Sequence, residues 1–377
     1  MPLPAIQDPG LQKKLEAWIA ELGIPGAVLG IRYPDGRKYI VAAGISEIAR
    51  QKDVHRQENQ AGPDETATWP NMAYGTQIIG DPMDRDLQFR IASLTKTFVA
   101  VAVMRLKEEG TLSLDDTVAK YLGEIVPQAE KITIRQLLGH KSGLPNYTDH
   151  PDFFNDLNAD PARYRSPAEL LKYVRDLPPL SPGKEYRYSN ANYLLLGMIL
   201  EKVTGKPYDK VIRDQILIPL NLVHTYIPNN TYLIHDYSHG YRHNFKKNGR
   251  WVDYTQFVHS SWLGAAGAMT SNADDLLTFM EYLFDGRLIS QADLEEMMSF
   301  TQEGDPNREA GLGLDRYKKA VGMSGDYVYG YEAAMYRYWK IDFVVLTNGL
   351  PTKLGVMNGA EWIFEKAVNS ALGFPVG

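Results

Sequence analysis

The sequence predicts an α/β (α+β) protein whose sheet is built from both ends of the chain, with a mostly helical segment inserted between them. Strand-like stretches lie at 26–44 and again at 331–348. Between them, apolar runs at helical spacing recur at 94–106, 166–177, 191–205 and 272–286. The composition suits this: 377 residues, 44% hydrophobic and 23% charged, are enough for a large buried core. The simplest assembly joins 1–105 and 260–377 into one sheet lobe and makes 106–259 a helical lobe. A cleft between the lobes is then the default place for a site.

The elements follow in order. LQKKLEAWIAEL (11–22) has apolar positions at helical spacing, and Gly23 is its stop. GAVLGIRY (26–33) reads as a strand, PDG (34–36) as a tight turn and KYIVAAG (38–44) as the return strand. From 45 to 87 the chain is polar and rich in Gly, Pro, Asp and Gln, with isolated aromatics at Trp69 and Tyr74. A connection that long is read as a flap or insertion. The helix after Ser93 is apolar nearly all round from Phe98 to Leu106, so burial is expected, and EEG (108–110) ends it. SPAELLKYVRDL (166–177) opens on a capping box, Ser166 with Glu169, and has proline at its first helical position. ANYLLLGMILEKVTG (191–205) and NADDLLTFMEYLFDG (272–286) are helices closed by glycine. YEAAMYRYWK (331–340) and IDFVVLTN (341–348) are strand-like, and a last helix covers about 355–372.

Charge and composition narrow the function. Forty Lys and Arg against 46 Asp and Glu leave a net charge of −6, which argues against nucleic acid or an anionic membrane surface as the main partner. No stretch approaches 18 uninterrupted apolar residues, so no transmembrane helix is expected. MPLPAIQDPGLQKK at the N-terminus lacks a basic region followed by an apolar core, so no signal peptide is expected in this chain. That implies a cytoplasmic protein if the chain is native and full length; a mature secreted chain given a start Met reads the same. The absence of cysteine excludes disulfides, thiolate catalysis and Cys-type metal sites.

The chemistry concentrates at FRIASLTKTF (89–98), where Ser93 and Lys96 stand three apart at a helix start. Residues i and i+3 share a helix face, so Lys96 reaches Ser93. The positive end of the helix dipole favours an alkoxide, an adjacent oxyanion and a neutral amine. A serine hydroxyl needs an adjacent base, and a lysine desolvated in an apolar setting can be one. The blander reading is an N-cap serine followed by an ordinary charge, and a second Ser–x–x–Lys occurs at SPGK (181–184), where Pro182 and Gly183 oppose a helix. EYRYSNANYLLLG (185–197) holds the one Tyr–x–Asn of the sequence, Tyr188 and Asn190, just before a helix. A phenol near the lysine can pass the serine proton to a leaving group, and an amide side chain can orient a substrate amide. In VGMSGDYVYGYEAAMYRY (321–338), a glycine-flanked strand edge would let substrate add as an extra strand and would offer a backbone N–H to an oxyanion.

Together, SLTK, YSN and MSG in this order resemble the serine penicillin-recognising superfamily: class C β-lactamases, DD-peptidases, D-amino-acid amidases and related esterases. Its motifs are S-x-x-K, Y-x-N and K-[TS]-G or H-x-G. LLGHKSGLPNY (137–147), LGAAGAMTSNADDLLTF (263–279) and VVLTN (344–348) are similar to the family's intervening landmarks, and the resemblance runs from about residue 11 to the end. Lys141–Ser142–Gly143 also reads as K-[TS]-G, but it precedes YSN and belongs to the SGLP landmark.

The resemblance implies a two-lobed β-lactamase/transpeptidase-like fold with an antiparallel sheet, and an acyl-enzyme mechanism without a cofactor. Carried over by position, Ser93 is the nucleophile, and Lys96 and Tyr188 share the proton transfers. Asn190 contacts the acyl side chain, and Met323, Ser324 and Gly325 line the substrate. The backbone N–H groups of Ser93 and Asp326 form the oxyanion hole. The chain departs from the pattern at Met323, where the family carries Lys or His; a thioether cannot hold a substrate carboxylate. The expectation is therefore a peptidase, amidase or esterase acting on a small molecule or peptide, ahead of an efficient β-lactamase or D-Ala-D-Ala carboxypeptidase. A catalytically decayed binding protein is the rival from another class.

Two other patterns carry less. His235, His239 and His243 are spaced by four, as zinc ligands on a helix can be, but Gly240 among them suggests a loop or strand and no metal site is expected. No G-x-S-x-G occurs, so an α/β-hydrolase elbow is unsupported.

Overall fold

The structure, a computed structural model, describes residues 8–48, 80–245, 250–302, 304–353, 355–356 and 358–372. Among the described residues the sheet has nine strands: β1 (Gly26–Arg32), β2 (Lys38–Ile48), β3 (Gly80–Pro82), β4 (Thr301–Gln302), β5 (Arg308–Ala310), β6 (Asp315–Tyr317), β7 (Ala320–Tyr327), β8 (Tyr331–Tyr338) and β9 (Ile341–Thr347). Their order is β3-β2-β1-β9-β8-β7-β6-β5-β4, and every pairing is antiparallel. The two ends of the sequence meet where β1 pairs with β9, Ala27 opposite Thr347. The antiparallel β-lactamase/transpeptidase-like architecture expected above is the one found.

Seven helices position the core and the site: α1 (Pro9–Leu22), α2 (Leu94–Glu108), α3 (Ile134–Leu138), α4 (Pro167–Arg175), α5 (Asn190–Thr204), α6 (Ala273–Phe284) and α7 (Gly359–Ala371). Gly23 ends α1 in the left-handed conformation (φ 67°), the cap its sequence predicts. The capping box of α4 is present in both directions, Ser166 accepting from the Glu169 N–H and the Glu169 carboxylate from the Ser166 N–H. Asn358 caps α7, which begins four residues later than the sequence suggests.

Alternation along the strands fixes which helices cover which face. Leu29, Ala334, Tyr336, Phe343 and Val345 face α1 and α7, meeting Leu15, Trp18, Ile363 and Phe364. Val28, Met335, Val344 and Leu346 face the opposite side and join a cluster with Phe98 of α2 and Leu277 and Phe279 of α6. Phe98 and Phe279 stack at 3.8 Å. Gly30 lets α6 come close: a Cβ there would lie 3.0 Å from Leu277 Cδ1. This second cluster continues through α2 into the helices of the middle of the chain, including Leu170, Leu194 and Leu200.

The structure differs from the sequence expectation in two places. The return strand β2 does not stop at 44 but continues to Ile48 and pairs with β3, so the polar connection read as a flap is shorter at both ends. Its remainder, 49–79, lies outside the described residues. The three short strands β4, β5 and β6 have no sequence signal, because two or three polar residues carry no alternation to recognise. Among the described residues no helix is long and apolar enough to cross a membrane.

Candidate active site

The turn that carries Ser93 is set by its backbone. Phe89–Arg90 pairs with Thr270–Ser271, and the Ile91 N–H donates to the Met269 carbonyl at 3.0 Å. Ala92 then takes a left-handed conformation (φ 47°), a costly one for alanine, and Ser93 follows as the N-cap of α2. The Ser93 side chain caps nothing, so its hydroxyl is left for other partners. As the residue before the first helical turn, it also has a backbone N–H with no intrahelical acceptor.

Lys96 is fully buried one turn on, with Nζ 3.0 Å from Ser93 Oγ, 2.9 Å from Asn190 Oδ1 and 2.6 Å from the Ala266 carbonyl oxygen. Burial lowers its pKa to about 7, against the opposing pull of Asp315. A neutral amine has two hydrogens and one lone pair. Asn190 Oδ1 and the Ala266 carbonyl, which only accept, take the two hydrogens and leave the lone pair to the Ser93 hydroxyl. The amine also lies 5.0 Å from the centre of the Tyr188 ring and 5.6 Å from that of Tyr193.

Tyr188 completes the contact: its hydroxyl is 2.8 Å from Ser93 Oγ. At 37% exposure it is the open member of the group, where the lysine is the closed one. The two side chains thus reach the same oxygen from inside and from the solvent side.

The stretch LLGHKSGLPNY cradles the Tyr188 segment. The Arg187 N–H donates to the His140 carbonyl (2.8 Å) and the Ser189 N–H to His140 Nδ1 (3.2 Å). Ser189 Oγ donates to the Pro145 carbonyl, and the Asn190 N–H donates to Asn146 Oδ1. Asn190 opens α5, and that helix places Tyr193, three residues on, beneath Lys96; the Tyr193 hydroxyl donates to the Leu138 carbonyl. Gly143 of the Lys–Ser–Gly look-alike is left-handed (φ 75°) and serves this loop.

The MSG strand passes alongside. Gly325 abuts the turn that carries Ser93: a Cβ would fall 2.7 Å from the Ser93 nitrogen and 2.9 Å from Ala92 Cβ. β6 pairs with β7 only through Ala320–Gly322, so among the described residues Met323–Tyr327 has no ladder partner on that edge. Met323 is opposite Met335 and is buried in the cluster around α2. Ser324 is opposite Ala334 and so shares the other face of the sheet with Tyr336. Asp326 is exposed and pairs across the strands with Glu332.

Three contributors are not among the site residues that the sequence predicts. The Ala266 carbonyl is a backbone atom of a short turn. Asp315 is enclosed by the protein, its pKa raised to about 6 by burial against the pull of Arg308, and its charge acts on Lys96. His140 was legible only as a landmark. The histidine triplet sits on a loop and an edge ladder: His239 Nδ1 is 2.7 Å from an Asp253 carboxylate oxygen and His243 lies on the Tyr241–Asn244 strand.

An antiparallel sheet covered on both faces, with a serine, a lysine and a tyrosine meeting beside one strand edge, defines the β-lactamase/transpeptidase-like class. The chain belongs to the Beta-lactamase family, whose model matches residues 11–366. A D-stereospecific amidohydrolase from Streptomyces sp. has the same fold, with a TM-score of 0.74 and 29% identity over 95% of this chain and 96% of its own. The D-amino acid amidase of Ochrobactrum anthropi SV3, solved with L-phenylalanine amide, aligns with a TM-score of 0.78 and 26% identity over 96% of this chain and 97% of its own. Both of these neighbours are hydrolases by name. Protein flp of Staphylococcus aureus (strain MRSA252) is 35% identical over 176 residues, 44% of this chain. That match spans about a third of the relative's length, 34%.

Proposed function

We propose that the protein is a serine hydrolase that cleaves an amide, peptide or ester bond through an acyl-enzyme on Ser93. The observation that carries this reading is the convergence of Lys96 Nζ (3.0 Å) and Tyr188 OH (2.8 Å) on Ser93 Oγ. In acylation, neutral Lys96 takes the Ser93 proton while Oγ bonds to the substrate carbonyl carbon. The oxyanion is held by the N–H groups of Ser93 and Asp326, and the close approach of Gly325 to the Ser93 nitrogen supports that pairing. The leaving group departs with a proton from Tyr188, which Lys96 replaces. Water then takes the place of the leaving group and releases the acid.

Asn190 orients the acyl side chain, and the free edge at Met323, Ser324 and Gly325 takes the substrate backbone as an added strand. The substrate lies between the sheet lobe (1–105, 260–377) and the helical lobe (106–259). The two amidase neighbours support an amino-acid amide or a short peptide as substrate. Met323 supplies no cation for a β-lactam or D-Ala-D-Ala carboxylate, and it is buried among apolar side chains. Efficient hydrolysis of a chromogenic cephalosporin would refute that preference.

The test of the main reading is covalent. A fluorophosphonate probe labels the wild-type protein and not Ser93→Ala. Absence of labelling in wild type would favour a catalytically decayed binding protein instead.

A further inference from the structure

We propose that His140 is the positioning residue for Tyr188, holding the phenol against Ser93 through a side-chain chain that runs Ser142–Asn192–His140. The inference rests on the acyl-enzyme reading above. The residues on both sides of Tyr188 are tied to this one histidine, Arg187 N–H to its carbonyl and Ser189 N–H to its Nδ1. Between those two bonds the rings of His140 and Tyr188 stack, 4.5 Å apart at 28°. The segment Arg187–Ser189 is therefore held at three points by one residue, with the Tyr188 ring at the middle one.

The grip is itself held. Ser142 Oγ donates to Asn192 Oδ1 at 2.6 Å, which fixes the amide so that Nδ2 faces His140 Nδ1 at 3.1 Å. With Nδ1 accepting from both Asn192 and Ser189, the ring proton belongs on Nε2, a buried atom with no hydrogen-bond partner among the described residues. His140 is left-handed (φ 54°), a conformation that histidine adopts at a cost and that aims the ring under Tyr188. Burial, and then the neighbouring Lys96, hold its pKa well below the usual histidine value, so the ring stays uncharged beside the amine. The Lys–Ser–Gly look-alike thereby gains a role: its serine anchors the chain.

The experiment compares wild type, His140→Asn, Tyr188→Phe and the double variant on a D-amino-acid p-nitroanilide and a p-nitrophenyl ester. Asparagine keeps an acceptor where Nδ1 stood and tolerates the left-handed backbone, but it removes the stacked ring. The expected result is an anilide kcat lowered about 10–100-fold in His140→Asn, with KM little changed. The loss should be smaller on the ester, whose leaving group needs no proton, and the double variant should be no worse than Tyr188→Phe alone. An unchanged anilide kcat in His140→Asn, or a full His140 effect persisting without the Tyr188 hydroxyl, overturns the inference.

If His140→Asn does not fold, Ser142→Ala replaces it, and the same cycle with Tyr188→Phe supports or overturns the inference by the same two criteria. Fluorophosphonate labelling of wild type is run alongside, so that failure of the acyl-enzyme reading is seen separately. In that event the 13C resonance of the Tyr188 Cζ, assigned with Tyr188→Phe, decides: a shift in His140→Asn supports the positioning contact and an unmoved line refutes it.

Discussion

Gly325 lies against the backbone of Ser93 so closely that a Cβ at position 325 would sit 2.7 Å from the Ser93 nitrogen. The neighbours it would meet are the Ser93 nitrogen, Ala92 Cβ and the Ile91 carbonyl, none of which can swing aside. Gly325→Ala is therefore expected to push β7 from Ser93 and cost about 1–3 kcal/mol of stability. Activity should fall by about two orders of magnitude, since the proposed oxyanion donors, the Ser93 and Asp326 N–H groups, would no longer face one point. A urea melt and kcat on an amino-acid anilide check both.

The pH profile follows from Lys96. Its pKa is lowered to about 7 by burial, and in the proposed mechanism only the neutral amine accepts the Ser93 proton. The neutral fraction grows as pH rises through that value. The acidic limb of kcat/KM should accordingly rise with an apparent pKa about 7 and level off above it. A limb near the ordinary lysine value would show that the base is not this amine in this setting.

Lys96→Arg is expected to abolish acylation, because a guanidinium stays protonated and has no lone pair to offer. Asn190→Ala should be milder. It removes the 2.9 Å acceptor of the amine, and that bond is stronger to the ammonium than to the amine. Its loss should lower kcat by roughly tenfold and move the acidic limb to lower pH. Steady-state kinetics across pH, with fluorophosphonate labelling rates, separate the two variants.

Stability of the sheet should depend on Asp342. This fully buried carboxylate accepts from Arg337 at 2.6 and 2.8 Å and from Arg32 at 3.2 Å, linking three strands. Asp342→Ala takes their shared partner from two mostly buried arginines, which keep Glu281 and Asp285, and about 2–3 kcal/mol of stability is the expected loss. Equilibrium denaturation measures it, and a loss below about 1 kcal/mol would contradict it.

Much of this was legible in the chain. The helices with strong ends, such as α1 with Gly23 and α4 with its capping box, are where the sequence places them within a few residues, because caps are local chemistry. The long strands β1, β8 and β9 were visible from β-branched and aromatic residues. β4, β5 and β6 were not, since a strand of two or three residues is made by its neighbours rather than by its own pattern. Tyr188 and Asn190 could be named only because ordered motifs resemble a family; nothing in their own stretch says that they meet Ser93.

Local residue order is enough for what lies within one turn of helix: Lys96 comes back to Ser93, with an apolar helix behind it that strips the amine of water. Helical geometry makes that contact whatever the rest of the chain does. Where the lysine's hydrogens go, which imidazole lies under Tyr188 and which strand edge borders Ser93 depend on long-range packing. Those contacts join Lys96 to Ala266, His140 to Tyr188 and Gly325 to Ser93 across segments far apart in the chain. They are settled by how the sheet and helices pack, and no local pattern encodes such packing.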